Sequence, residues 1–166
     1  DVHEDIGRLK KVLLEMQESQ VDRYMCLGDI IHNGQSYEAN RCVDLLKKNN
    51  VTCVKGNKEP LVGQKHLNTK LTKENSFYLE RLPTHIYFET EGCLFTHSLS
   101  EDLERKITKD LFIKSLNKYK KDKDYKNLKI IFSGHTHTPQ ILYRNNKGKV
   151  DEIRIERILK QDKIPL

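Results

Sequence analysis

The chain has 166 residues, which fits one domain, and a domain of that size buries roughly 70% of the surface that its unfolded chain exposes. Its 30 basic and 24 acidic residues leave a net charge of +6, a mixed balance that does not by itself select an anionic partner. No stretch approaches the roughly 18 consecutive apolar residues of a membrane span, and the visible N-terminus lacks the layout of a signal peptide. We therefore expect no membrane association.

The four cysteines favour a reducing compartment. Cys26, Cys42, Cys53 and Cys93 fall inside apolar runs or a helical pattern, and none belongs to a Cys-x-x-Cys pair. We interpret them as reduced core residues and not as a zinc knot or a disulfide framework. The expected location is the cytoplasm.

The first third of the chain alternates helices and strands. Helices are predicted over residues 4–20 and 36–48, and strands over 23–27 and 51–54. Units of roughly 25 to 30 residues in this order predict right-handed βαβ crossovers and a largely parallel sheet. The positions expected to face the core are Ile6, Leu9, Val12, Leu13 and Met16 in the first helix and Tyr37, Cys42, Val43 and Leu46 in the second.

The middle of the chain begins with a predicted loop over residues 61–71, which lack clear periodicity. His66 in this loop is interpreted as an ordinary surface histidine, with contact to a substrate as the alternative. Thr72 is a candidate N-cap for a helix that continues to Leu82. Residues 86–97 predict an antiparallel hairpin.

The last third contains a predicted helix over residues 101–116, with Ser100 as its candidate N-cap, and a lysine-rich block. Seven lysines between Lys114 and Lys129 are interpreted as a solvated helix end and loop, with a nucleic-acid surface as the alternative. Residues 130–132 predict a buried strand, and residues 141–158 a hairpin. Because no linker or repeat interrupts the pattern, we place residues 1–166 in a single domain.

Side chains that bind metals follow most of the predicted strands. The motif Ser133-Gly134-His135-Thr136-His137 presents two imidazoles where strand 130–132 ends, although such a pair alone is as compatible with a polar loop. In open α/β sheets, ligands bind beyond the carboxyl ends of the strands, so residues scattered in sequence would converge there. The other members of this pattern are Asp1, His3, Asp29, Asn57 and His97.

The order Asp-x-His, Gly-Asp, Gly-Asn, His and Gly-His-Thr-His resembles the calcineurin-like metallophosphoesterase family from Asp1 to His137. After Gly28-Asp29 the chain lacks the Asp-Arg-Gly of the protein phosphatases, so it looks closer to the small prokaryotic phosphodiesterase-like members. The resemblance implies a four-layer α/β/β/α sandwich of mixed sheets. It also implies a two-metal site in which Asp1, His3 and His137 hold one ion, Asn57, His97 and His135 hold the other, and Asp29 bridges them.

One of these expected ligands is residue 1. A ligand at a chain terminus would have no strand behind it, and its α-ammonium would repel two nearby cations. We therefore expect that the domain as given lacks its first β-strand, which would precede Asp1.

The resemblance implies hydrolysis of phosphomonoesters or phosphodiesters of nucleotides or small molecules. Two divalent ions about 3.5 to 4 Å apart would clamp a phosphoryl group and lower the pKa of a bridging water, so that hydroxide attacks. The mixed nitrogen and oxygen ligands suit Mn, Fe, Zn, Co or Ni, and manganese is expected by family habit. The residues expected to act in catalysis are Asp29, Asn57, Lys58 and His97.

Lys58 stands where most of the family has a histidine that is thought to protonate the leaving group. Lysine is a poorer proton donor at neutral pH, and losing one general acid costs about 100- to 10,000-fold in rate, so substrates with good leaving groups are favoured. Glu59 beside it would tune the lysine. The alternatives are a protein-binding scaffold with the same fold, and a nuclease that uses the lysine-rich block. The sequence indicates no particular oligomeric state.

Overall fold

A computed structural model describes residues 1–63, 69–99, 107–145, 147 and 149–153. The chain forms two compact units, the first of Asp1–Ser98 and Asn127–His135 and the second of Leu99–Lys126 and Thr136–Leu166. Helices and several small sheets confirm the mixed α/β class. The four-layer arrangement stays a prediction, as does the single domain that lacks a first strand.

The first unit opens with a βαβ arrangement. Helix α1 (Ile6–Glu18) precedes strand β1 (Met25–Cys26), and helix α2 (Tyr37–Lys48) connects β1 to β2 (Thr52–Cys53). The two strands are parallel, with Cys26 opposite Cys53, which confirms the predicted parallel crossover. Both strands are shorter than predicted. Their carboxyl ends lead into the Gly28-Asp29 and Gly56-Asn57 loops.

The core of this unit uses a narrower stripe of each helix than the sequence predicts. Val12 is 44% exposed and Tyr37 is 71% exposed, so their assignment to the core is wrong. Leu9 and Leu13 are the buried residues of α1, Ile6 and Met16 are half-buried against the same core, and Val12 lies about 100° around the helix from Leu13. Tyr37 begins α2 at the surface, where the Lys70 ammonium lies 4.7 Å from the centre of its ring. The side chains that fill the core are Leu9, Leu13, Cys26, Ile30, Ile31, Ala39, Cys42, Val43, Leu46, Val51, Cys53, Leu79 and Leu82.

A three-stranded sheet completes the first unit. Strands β3 (His85–Phe88) and β4 (Cys93–Thr96) form the predicted antiparallel hairpin, and β5 (Ile130–Ser133) pairs with β4 in parallel. The prediction that strand 130–132 is buried is wrong, because β5 is the edge strand of this sheet and Ile130 and Phe132 are 48% and 42% exposed. Thr96 lies opposite Ser133, so both strands end at the same edge. His97 and the loop at Gly134 therefore leave the sheet side by side.

Two short elements connect the sheets of this unit. A 3-10 helix, Glu59–Gly63, takes up the start of the predicted loop, and His66 lies outside the described residues. Helix α3 (Lys73–Glu80) begins at Thr72, whose hydroxyl accepts the backbone N–H of Asn75 at 3.1 Å. This confirms the predicted N-cap.

In the second unit, helix α4 (Lys109–Lys121) begins later than predicted and ends later. Thr108 is extended, and its hydroxyl accepts the backbone N–H of Leu111 at 3.2 Å, so it caps a helix that starts at Lys109. The predicted bounds 101–116 are therefore wrong, and residues 100–106 lie outside the described part. A 3-10 helix, Lys123–Tyr125, follows.

The predicted hairpin of the second unit is confirmed as β6 (Ile141–Arg144) and β7 (Val150–Ile153), which pair antiparallel, and residues 154–158 of the prediction lie outside the described part of the chain. Of the helices that the structure describes, none combines the length and the apolar character needed to cross a bilayer.

Candidate metal centre

Asp29 is a buried carboxylate just beyond strand β1, at 2% exposure. Its Oδ2 lies 3.8 Å from Nε2 of His3, and its Oδ1 lies 3.5 Å from Nε2 of His97. The backbone N–H of Lys58 donates to Oδ1 at 3.0 Å. Asp29 therefore stands between imidazoles from two different loops.

Asn57 brings its side-chain oxygen to the same point. This oxygen is 2.9 Å from Nε2 of His97 and 3.2 Å from Nδ1 of His135. The two carboxylate oxygens of Asp29 are 3.0 and 3.2 Å away from the same amide position. With the amide nitrogen turned inward, Asn57 would donate hydrogen bonds to these groups. With the amide oxygen inward, the groups that converge are all hydrogen-bond acceptors: this oxygen, the ring nitrogens of His97 and His135 and the carboxylate of Asp29. Such a cluster is stable only around a cation.

The donor set fits a divalent transition-metal ion. Asp29, His97 and His135 each offer one ligand atom, and these atoms lie within 4.8 Å of one another. Imidazole nitrogens and carboxylate oxygens bind such ions at about 2.0 to 2.2 Å, so ligand atoms around one ion lie a few ångströms apart. The chemistry of this set suits Mn, Fe, Zn, Co or Ni better than Ca or Mg.

His97 is held in the form that a metal ligand needs. Its Nδ1 lies 2.7 Å from the backbone carbonyl of Leu27, to which the ring donates, so Nε2 keeps its lone pair. Burial lowers the pKa of His97 and His135 lowers it further, although Asp29 and the Leu27 carbonyl oppose this effect. The net pKa is below the ordinary value, and the ring is neutral near pH 7.

Asp1 fixes the loop that carries His135. Its two carboxylate oxygens accept the backbone N–H of His135 at 3.0 and 3.2 Å, and Oδ1 lies 3.5 Å from Nδ1 of His97. A Cβ on Gly134 would come within 2.8 Å of this carboxylate and 3.2 Å of Leu27. Glycine at this position therefore allows the end of β5 to approach Asp1.

Glu59 is a fully buried carboxylate that ties together two ligand loops. It accepts the backbone N–H groups of Asp29 at 3.1 Å, Ile30 at 2.7 Å and Gly56 at 2.6 Å. From the sequence, Glu59 was expected only to tune Lys58. The carboxylate instead holds the backbone on which Asp29 and Asn57 stand, because hydrogen bonds to a charged acceptor are strong in a buried setting. An acidic residue in a loop between apolar strands was the available signal.

Comparison with known proteins identifies the family. The family model for the calcineurin-like phosphoesterase superfamily domain matches residues 1–153. The chain belongs to this superfamily. It is also 28% identical over 156 residues to an uncharacterized protein of Methanocaldococcus jannaschii, an alignment that covers 84% of this chain. The chain spans 60% of the length of that relative. No solved structure matches the chain.

A second carboxylate of this superfamily member, Glu4, holds the loop after Asp29. It accepts the backbone N–H groups of His32 at 2.9 Å, Asn33 at 3.1 Å and Gly34 at 2.8 Å, together with the hydroxyl of Ser36. Burial raises the pKa of Glu4, but the hydrogen bonds outweigh it and leave the pKa below 4.5. This role of Glu4 could not be predicted from the sequence, because the donors lie about thirty positions away.

Four of the predicted ligand positions have left-handed backbone conformations. The φ angles are 49° at His3, 46° at Asp29, 68° at His135 and 53° at His137. Such values are uncommon outside glycine and concentrate at functional sites, where the surrounding structure enforces them. The strain is local to the loops that carry the predicted ligands.

The structure brings together six of the seven predicted ligands. His137, two residues beyond His135, belongs to the second unit, and its ligand role stays a prediction. Lys58 contributes its backbone N–H to Asp29, and the role of its side chain also stays a prediction. The six that meet in the first unit are Asp1, His3, Asp29, Asn57, His97 and His135.

Proposed function

We propose that the protein is a metal-dependent phosphoesterase that hydrolyses small phosphomonoesters or phosphodiesters. One observation carries the proposal: the carboxylate of Asp29 and the imidazoles of His97 and His135 converge on one point with the amide of Asn57. Membership of a superfamily of phosphoesterases supports it. A structural zinc site would use closed, cysteine-rich ligation, whereas the four cysteines are free and the group of Asp29, His97 and His135 contains none of them.

The proposed ligands divide between two ions. Asp1, His3 and His137 would hold one, Asn57, His97 and His135 the other, and Asp29 both. Manganese is the metal we propose first, with zinc, iron, nickel or cobalt as alternatives. When bound, two such ions polarise a phosphoryl oxygen and supply a hydroxide nucleophile near neutral pH.

The chain's own residues prepare this centre. The Leu27 carbonyl orients the ring of His97, and the Asp1 carboxylate positions the backbone of His135. The backbone N–H of Lys58 donates to Oδ1 of Asp29, and the backbone N–H of Asp29 donates to Glu59. These two hydrogen bonds fix the position of Asp29. Such preorganisation removes the cost of ordering these groups when a substrate arrives.

Lys58 sets the substrate class that we propose. Its ammonium would stabilise charge on the phosphoryl oxygens, but it is a poorer proton donor than the imidazole that relatives carry there. Esters whose leaving group needs little protonation should therefore react best, such as nucleotide diesters and aryl phosphates. We further propose a cytoplasmic location, because the four cysteines are free.

The test combines metal analysis with one substitution. The purified protein should contain bound transition metal by mass spectrometry and should hydrolyse an aryl phosphodiester with manganese but not with a chelator. Asp29→Asn removes the anionic charge between the cations, so activity should fall at least about a thousandfold, since the metal clamp supplies several kcal/mol. The exposed Asp22→Asn variant is the matched control and should keep full activity.

Two results would contradict the proposal. Absence of metal from the protein would favour the protein-binding scaffold instead. Asp29→Asn activity within about tenfold of the wild type would place the chemistry elsewhere, because loss of the clamp costs far more.

A further inference from the structure

His32 is an imidazole beside the metal centre that the proposed ligand set does not use. Its ring centroid is 5.8 Å from that of His3, with the planes at 66°, so the two rings meet edge to face. His32 is exposed, whereas His97 in the centre is only 4% exposed. It therefore lies next to a proposed ligand, on the side that solvent reaches.

The backbone of His32 is held in place. Its N–H donates to Oε1 of Glu4 at 2.9 Å, and the same oxygen accepts the N–H of Gly34 at 2.8 Å. Because Glu4 follows His3 directly in sequence, one dipeptide supplies a proposed ligand and also anchors the loop of His32. The position of His32 relative to His3 is thus set by the same short segment.

A substrate at this site would need a further hydrogen-bond donor besides the metal ions. The residue after Gly56-Asn57 is Lys58, so no imidazole stands there. A phosphoryl group carries non-bridging oxygens that need donors as well as cations. A histidine ring carries at least one N–H in either protonation state, so it can donate without titrating.

We infer that His32 is a substrate-binding residue whose ring N–H donates to a non-bridging oxygen of the substrate's phosphoryl group. This inference rests on the proposed phosphoesterase function and assigns one residue of its binding pocket. A phosphodiester, the phosphomonoester that its hydrolysis yields and inorganic phosphate all carry the non-bridging oxygens that His32 recognises. Both should therefore bind more weakly when the donor is lost.

The experiment compares His32→Ala, His32→Gln and the wild type, all loaded with manganese. For an aryl phosphodiester, His32→Ala should raise KM about ten- to a hundredfold, the range for one hydrogen bond to a charged group, and kcat should change much less. The inhibition constant of inorganic phosphate should rise in parallel. His32→Gln keeps an N–H donor of similar reach, so it should recover a large part of both losses.

Gln35→Ala is the matched control, because Gln35 is exposed in the same loop and its backbone N–H bond to Asn33 survives the change. It should leave KM and phosphate inhibition unchanged. Metal content should be equal in all variants. A lower metal content in His32→Ala, or unchanged phosphate affinity, would overturn the inference.

Calorimetric titration with phosphate separates this inference from the proposed function. If the metal-loaded wild type binds phosphate but hydrolyses no ester tested, the proposed function is contradicted while the role of His32 in phosphate binding is still measured. If the wild type hydrolyses esters and His32→Ala binds phosphate equally well, only the role of His32 is wrong.

Discussion

Two carboxylates, Glu59 and Glu4, do the same task in different surroundings. Each accepts backbone N–H groups from the loop that follows β1, and Glu59 also holds Gly56 beyond β2. Glu59 is fully buried, whereas the loop that Glu4 holds includes the exposed His32. The buried anchor fixes the backbone under the metal centre, and the more exposed one positions its rim.

The difference in burial determines what each anchor contributes. A buried donor that loses its acceptor has no water to replace it, so removing Glu59 leaves several N–H groups unsatisfied. Around Glu4, water reaches part of the loop and replaces lost bonds at low cost. We therefore expect Glu59 to govern stability and Glu4 to govern the geometry of the His32 loop.

The largest expected effect is that of Glu59→Ala. It should lower the free energy of unfolding by roughly 3 to 5 kcal/mol, as for loss of one partner in a buried charged network. Urea denaturation of the metal-free protein measures it. Glu74→Ala is the control, because Glu74 pairs with Lys47 at the surface and should give no measurable change. Equal values for the two variants would show that Glu59 stabilises the fold no more than a carboxylate at the surface does.

Glycines in the two anchored loops provide the next comparison. Gly56→Ala would place a Cβ 2.2 Å from the backbone nitrogen of Asp29, so it should destabilise the protein by about 3 kcal/mol. Gly34 has φ of 69° and its Cβ would meet only side chains, the nearest being Leu71 at 3.2 Å. Gly34→Ala should therefore lose about 1 to 2 kcal/mol, the cost of a left-handed residue. Thermal unfolding of the two variants measures the difference. A larger loss of stability in Gly34→Ala than in Gly56→Ala would contradict the closer packing of the buried loop.

Substitutions of Lys58, next to Glu59, separate the structural role of its backbone N–H from the catalytic role of its side chain. Lys58→Ala retains the N–H that Asp29 accepts, so the fold should persist while activity on all substrates falls roughly tenfold through loss of a positive charge. Lys58→His should raise the rate on alkyl esters more than on nitrophenyl esters, because only alkoxides need a proton. Kinetics on one substrate of each class provide the measurement. Equal gains on both classes, or no loss in the alanine variant, would make Lys58 a bystander.

The smallest expected effect is that of Glu4→Gln, about 1 kcal/mol at pH 7. Because folding lowers the pKa of Glu4 from 4.5, its contribution is complete above that value and is lost as the pH falls through the folded pKa. The difference in unfolding free energy between wild type and variant should thus shrink below about pH 4.5. Glu15→Gln, at an exposed position of α1, is the control. A difference that is independent of pH would show that Glu4 does not act through its charge.

The ligand loops could be predicted from sequence because each one follows a strand directly. Asp29 and Asn57 follow the parallel pair β1 and β2, and His97 and His135 follow the parallel pair β4 and β5, so the carboxyl ends within each pair lie at one edge. A local pattern was enough in these cases. The elements α1 to α3 were predicted for a similar reason, since apolar spacing and an N-cap such as Thr72 lie within the element itself.

Features that depend on distant partners could not be predicted. The donors to Glu59 lie up to thirty residues away, and nothing in its neighbours indicates that they converge on it. Val12 was placed in the core because periodicity defines a wide apolar face, while the width that is actually buried depends on what packs against it. The start of α4 at Lys109 was missed because Ser100 and Thr108 are equally good N-caps by type.

The left-handed backbone at His3 and His135 has a consequence for evolution. At φ values of 49° and 68°, a glycine would relieve strain of about 1 to 2 kcal/mol while deleting the imidazole. Thermal stability therefore favours glycine at these two positions, whereas metal binding requires histidine. A library selected only for survival at high temperature should accumulate glycine at these two positions, whereas the same library selected for hydrolysis should retain histidine and find its stabilising changes elsewhere.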